Sequence, residues 1–217
     1  MSRTHWLLLF AAVTLLPSAG RAAAVDHITC LQAKSKFGEC AKLAETESLP
    51  LLSCLGADSG YSDCRAIEGP GSHTRCLAAK GQYGYCRQTF PALTHGQCLT
   101  ADSGFKDCLG YEGNPLLCLG VKGGYGACRH GDSLRPHLAC VNADNGYADC
   151  LSEGGSYLIC LPARRSYKYC REVDGQSRPF CTTIGKGYQE CRKAGFSLGT
   201  CVLADQGYTD CASYRPP

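Results

Sequence analysis

Three residue types recur at spacings that could do chemistry: cysteine, tyrosine and aspartate. The 18 cysteines fall into nine pairs whose members stand ten positions apart. They are Cys30 and Cys40, Cys54 and Cys64, Cys76 and Cys86, Cys98 and Cys108, Cys118 and Cys128, Cys140 and Cys150, Cys160 and Cys170, Cys181 and Cys191, and Cys201 and Cys211. Each pair bounds one copy of an eleven-residue motif, from CLQAKSKFGEC (30–40) to CVLADQGYTDC (201–211), with no insertion or deletion in any copy. An even set of cysteines without an odd thiol reads as disulfides in an oxidising compartment. A zinc site wants cysteines about two to four residues apart, which this spacing does not offer.

Position eight of the motif is always aromatic: Phe37 and Phe105, and otherwise Tyr61, Tyr83, Tyr125, Tyr147, Tyr167, Tyr188 and Tyr208. Exposed, the seven tyrosines would be partner contacts, since a phenol offers an apolar face and a polar tip. Buried, they would pack on the small residue at position four and on the disulfides. Position five alternates in charge. Lys34, Lys80, Lys122 and Arg164 hold it in copies one, three, five and seven, and Asp58, Asp102 and Asp144 in copies two, four and six. The acidic copies carry a second carboxylate at position ten (Asp63, Asp107, Asp149). Two carboxylates across a turn could hold Ca²⁺, but that ion wants about six to eight oxygens. The simpler expectation is that the first Asp caps its own turn and the second is solvated. The alternation breaks at the end, where copy eight has Gly185 and Lys186 and copy nine has Asp205 and Asp210.

No catalytic, cofactor-binding or metal-binding residue is assigned. His27, His73, His95, His130 and His137 lie outside the motif, in the lead and the linkers, and are given no repeated role. The chain has no nucleophile elbow, zincin motif or phosphate loop.

Two folds compete for the motif. Positions one, four, eight and eleven share one stripe of a helix. In a helix, however, the two cysteines would stand about 15 Å apart and could not bond each other. A hairpin with a loop at five to seven places Gly60, Gly104, Gly146 and Gly207 at a left-handed turn position and sets Cys one opposite Cys eleven. The sequence therefore predicts a small, disulfide-rich all-β protein: a linear array of nine short β-hairpins, each closed by its own disulfide, with little helix. Joining successive copies, such as Cys40 to Cys54, is the rival pairing. The alternation groups the hairpins in pairs starting near residues 30, 76, 118 and 160. Linkers such as Glu68-Gly69-Pro70-Gly71 suit a single array, and neighbours would bring Lys five towards Asp five. The Gly-Tyr-x-x-Cys ending resembles the last hairpin of epidermal-growth-factor modules, without that family's closely spaced cysteines, so no residue role is carried over.

Residues 1–24 read as a cleavable secretory signal: Arg3, the apolar run from Trp6 to Leu16, and Ala22-Ala23-Ala24 at the cleavage site. The repeat array then spans 25–217. The net charge of +3 is far from that of a nucleic-acid binder, and no later stretch reads as a membrane span. The expectation is a secreted structural or adhesive protein of a matrix, wall or cell coat, with a multivalent glycan- or receptor-binding protein or a secreted effector as alternatives. Its partners would be an extracellular protein, a glycan or further copies of itself.

Overall fold

The computed structural model describes residues 25–131 and 135–214. The segment read as a signal lies outside them. Each first cysteine but Cys54, which lies within the 3-10 helix Leu51–Gly56, ends a one-turn helix, as in His27–Cys30, His95–Cys98, Pro115–Cys118 and Leu198–Cys201. The residue four places earlier starts it. Asp26, Thr94, Asn114 and Ser197 each accept a backbone N–H of that turn on a side-chain oxygen, which satisfies a donor the helix leaves orphaned. Each second cysteine sits in a second helix that begins at the aromatic of position eight, such as Tyr61–Glu68, Tyr125–Gly131 or Tyr208–Ser213.

Between the two helices the chain turns at positions five to seven. The N–H of Tyr61 donates to the carbonyl of Asp58 at 2.9 Å. The Asp58 carboxylate accepts the N–H of Ser59 at 2.6 Å, and Asp102, Asp144 and Asp205 accept the next N–H in the same way. These side-chain turns give the backbone an alternative to helix and stop the motif running on as one rod.

The array of β-hairpins is thus replaced by paired short helices, and no strand occurs among the described residues. The helical stripe is excluded only if cysteine one must reach cysteine eleven, and it does not. Every second cysteine bonds the first cysteine of the next copy, beginning with Cys40–Cys54 and Cys64–Cys76 and ending with Cys191–Cys201. Cys211 then returns to Cys30 across a sequence separation of 181. The linear array is corrected with the pairing: the nine copies close into a ring.

Backbone bonds follow the same circuit. At most seams position five donates its N–H to the carbonyl of position two in the next copy, and position seven to that of position four. Between copies four and five Gly120 donates instead to the Thr100 carbonyl at 2.8 Å. Asp58 reaches Leu77 at 2.9 Å and Gly60 reaches Ala79 at 2.8 Å. At the closing seam Asp205 reaches Leu31 at 2.9 Å and Gly207 reaches Ala33 at 2.8 Å. At the seam of copies seven and eight, side chains make the crossing: Arg164 Nη1 donates to the Ile184 carbonyl at 3.3 Å and Ser166 Oγ to that of Lys186 at 2.9 Å.

These crossings explain the glycines of position seven. Gly60, Gly104, Gly146, Gly187 and Gly207 have φ between −97° and −87°, so no left-handed turn requires them. A Cβ on Gly60 would instead overlap the Lys80 carbonyl, and one on Gly207 that of Lys34. The glycine lets one copy's backbone lie against the next. Cysteine one, the small residue at four, the aromatic and cysteine eleven then form nearly the whole core, from Cys30, Ala33, Phe37 and Cys40 onward, all fully buried.

Gly60→Ala should therefore cost about 1–3 kcal/mol, the range for a forced overlap in a packed core, although its φ suits alanine. Gly199→Ala, in a helix with open space around the added carbon, should be neutral or slightly stabilising. Equal guanidinium midpoints for the two variants would refute the close-approach account.

Candidate functional site

The position-five side chains converge on the ring axis. Lys34, Asp58, Lys80, Asp102, Lys122, Asp144, Arg164 and Asp205, with Lys186 and Gln206 from position six, line one cavity of about 210 Å³. Lys80 Nζ stands 2.6 Å from Asp58 Oδ2, and Lys34 pairs with Asp205. Lys five thus meets Asp five of the preceding copy at these two seams. The Lys80 ammonium and the Ser59 N–H, outweighing burial, hold the Asp58 carboxyl below its ordinary range. Nine is an odd number, so alternation around a closed ring must fail once. It fails where Arg164 and Lys186 stand in neighbouring copies with Gly185 at position five between them.

The seams themselves come in two kinds. Where a basic copy follows an acidic one, position nine is Gly38, Gly84 or Gly126, and it packs against Asp210, Asp63 or Asp107 of the preceding copy. A Cβ there would come within 3.1, 2.9 and 2.9 Å of the carboxylate. Each of these three seams opens as a surface groove at equivalent positions, with Tyr214, Tyr85 or Tyr111 at its side. Copy seven has Lys168 at this place instead of glycine. Where an acidic copy follows a basic one, side chains cross the seam: Ser62 donates to Glu39, and the Lys106 ammonium lies 4.4 Å above the Tyr85 ring.

The tyrosines proposed as partner contacts are not on this surface. Tyr61, Tyr83, Tyr125, Tyr147, Tyr167, Tyr188 and Tyr208 are all fully buried, and their hydroxyls join one copy to its neighbours. Tyr61 and Tyr83 bond Nδ1 of His73 and His95 at 2.9 and 2.8 Å, and Tyr125 and Tyr208 bond His137 and His27 at 3.0 and 2.6 Å. Backwards, Tyr83, Tyr125 and Tyr188 donate to Glu68, Glu112 and Asp174 at 2.6–2.7 Å. Burial, then these acceptors, push the three phenols well above their ordinary range. The same acids pair with Arg87, Arg129 and Arg192, and each arginine also donates to a carbonyl of the linker that follows it.

The structure separates the two carboxylates considered for Ca²⁺. Asp58 faces the axial cavity, whereas Asp63 lies against Gly84 in a seam groove. Among the described residues no group of three or more metal-ligating side chains converges. The repeated role of histidine was missed because the motif was counted forward from its first cysteine. Counted backward, His27, His73, His95 and His137 each stand three residues before a first cysteine, directly after the position that caps the short helix. No helix among the described residues is long and apolar enough to cross a membrane. The chain matches no protein-family model, and comparison with curated proteins and with solved structures found none similar to it.

His73 carries a pH dependence. It is 5% exposed, bonded to Tyr61 and, at 2.7 Å, to Ser53. Burial, then the nearby Arg65, lowers its pKa below the ordinary 6.5. Below that pH the unfolded chain takes up the proton first, so stability falls as pH drops through the window beneath 6.5. Asp58, lowered from 3.8, adds a second loss on further acidification towards and below that value. Guanidinium unfolding of the oxidised protein across pH should show both steps, and His73→Gln should flatten the first. An unchanged slope near pH 6 in that variant would count against the assignment.

Proposed function

We propose that this chain is a secreted, disulfide-locked adhesive protein of an extracellular matrix, wall or cell coat, acting through repeated weak contacts along its seams. The three open grooves at equivalent positions support this reading best. One shallow groove binds weakly, but three on a single rigid body can raise avidity by about 10²–10⁴ if a partner engages them together. The rigidity comes from nine disulfides, which an oxidising compartment preserves. Ring closure favours adhesion over a rod-like building block, because the array leaves no free end for a further copy to extend. The reading gives the chain no catalytic role: the histidines, tyrosines and acids that lie closest together are struts between copies.

The partner chemistry is that of an extracellular glycan or protein surface, met in every groove by an aspartate and a tyrosine, with Glu39 and Glu45 added in the groove at Gly38. Lys168 shows that a lysine at position nine is compatible with the fold. Gly38→Lys, Gly84→Lys and Gly126→Lys together should fill the grooves without unfolding the ring. The native protein should be found outside the cell, cleaved near Ala24 and bound to a matrix fraction, and the triple variant should lose at least tenfold in binding to that fraction. Retention of an uncleaved chain inside the cell, or unaltered binding by the triple variant, would overturn the reading.

A further inference from the structure

The broken alternation at the axis has a chemical consequence that does not depend on the adhesive role. Around most of the ring, carboxylates separate the cations: Asp205 pairs with Lys34 and Asp58 with Lys80. Outside those two pairs, the cavity lining leaves three cations, Lys122, Arg164 and Lys186, with two carboxylates, Asp102 and Asp144. Beyond Lys186 the next carboxylate, Asp205, is already held by Lys34. Among the described residues no carboxylate lies within ion-pair distance of Lys186, and Arg164 spends one guanidinium nitrogen on the Ile184 carbonyl. Both side chains line the same axial cavity, at the seam where side chains replace the backbone crossings. Gly185 leaves the intervening position without a side chain, and it cannot gain one, because a Cβ would overlap the Ala204 carbonyl. Position five of copy eight therefore cannot place a carboxylate there.

We infer that the axial cavity binds one small oxyanion, such as sulfate, phosphate or a terminal carboxylate, between Arg164 and Lys186. The anion takes the place of the missing negative charge and completes the alternation around the ring. Arg164 supplies planar donors suited to an oxyanion, and Lys186 a mobile point charge. The cavity of about 210 Å³ has space for several waters or one such ion. Asp144 and Asp205, on either side, limit occupancy to a single anion.

The test is calorimetric titration of the oxidised mature protein with sodium sulfate against sodium chloride at matched ionic strength, followed by amide NMR. Sulfate should bind with one-to-one stoichiometry and shift amides at residues 164–166 and 184–187 before others. Lys186→Gln should weaken it at least tenfold, while Lys106→Gln, on the outer surface, should leave it unchanged. A parallel titration with glucose 6-sulfate separates a free ion from the sulfated end of a glycan; binding by either one, with the same sensitivity to Lys186, supports the site. Equal responses to sulfate and chloride, or binding that survives Lys186→Gln, would overturn it. Because NMR reports on the folded state directly, a variant that failed to fold would be recognised, and Lys186→Arg, which keeps the charge, should then retain binding.

Discussion

Everything in this molecule depends on the disulfide that crosses from one copy to the next. Within a copy there is little to hold it together. Its helices run from one turn to about three, short of the length at which an isolated helix persists in water, and its four core side chains are too few to make a core of their own. A core exists only at a seam, where the second helix of one copy meets the first helix of the next around their shared disulfide. An open array of such units would need special end repeats to cover its terminal faces. The Cys30–Cys211 bond removes that need by making the last copy the neighbour of the first.

Closure also sets the rules for charge. Position-five side chains that would be scattered along a rod are focused on one axis by a ring, where like charges could not be tolerated side by side without cost. Alternation answers that problem for eight of the nine copies, and the odd count leaves the one defect at Arg164 and Lys186. Exposed pairs contribute only about 0–1 kcal/mol each, so the pattern acts more on which neighbours fit than on overall stability. The second layer of alternation, glycine or side chain at position nine, decides which seams are open to solvent. One two-copy sequence period therefore encodes both the axial charges and the surface grooves.

Much of this was present in the sequence, although the fold was misassigned. The repeat, its four core positions, the two-copy period and the capping role of Asp58 are all legible from residue type and spacing. The error came from one geometric premise, that a cysteine bonds its nearest partner along the chain. Under that premise the helical stripe looked impossible and Gly60 looked like a turn residue. Its true reason, the carbonyl of Lys80 lying where a side chain would go, is a contact between copies and leaves no local mark. The histidines were visible but hidden by the choice of origin. His73 belongs to the helix that ends at Cys76, and it is meaningless when counted from Cys54. The axial cavity could not be read at all without closure, since a linear array has no axis for Lys34 and Asp205 to share.

The aromatic column shows how a repeat this uniform can still specify its own order. A buried phenol must find a partner, because an unsatisfied hydroxyl costs about 1–3 kcal/mol. Where position eight is Tyr61, Tyr83, Tyr125 or Tyr208, the following copy presents a histidine to meet it. Where position eight is Phe37 or Phe105, which need no partner, the equivalent place in the next copy holds Leu51 or Pro115. At these six seams the hydroxyl and its histidine appear and disappear together, whereas Tyr147, Tyr167 and Tyr188 meet Tyr157, Arg178 and Leu198 at that place and Tyr188 turns back to Asp174. Eighteen similar cysteines could pair in a great many ways, and the disulfides alone do not distinguish a right neighbour from a wrong one. A seam that leaves a buried hydroxyl without a histidine, an acid or another polar partner, or a histidine facing phenylalanine, is penalised. At the four tyrosine–histidine seams the polar struts therefore favour the neighbour that the disulfide joins.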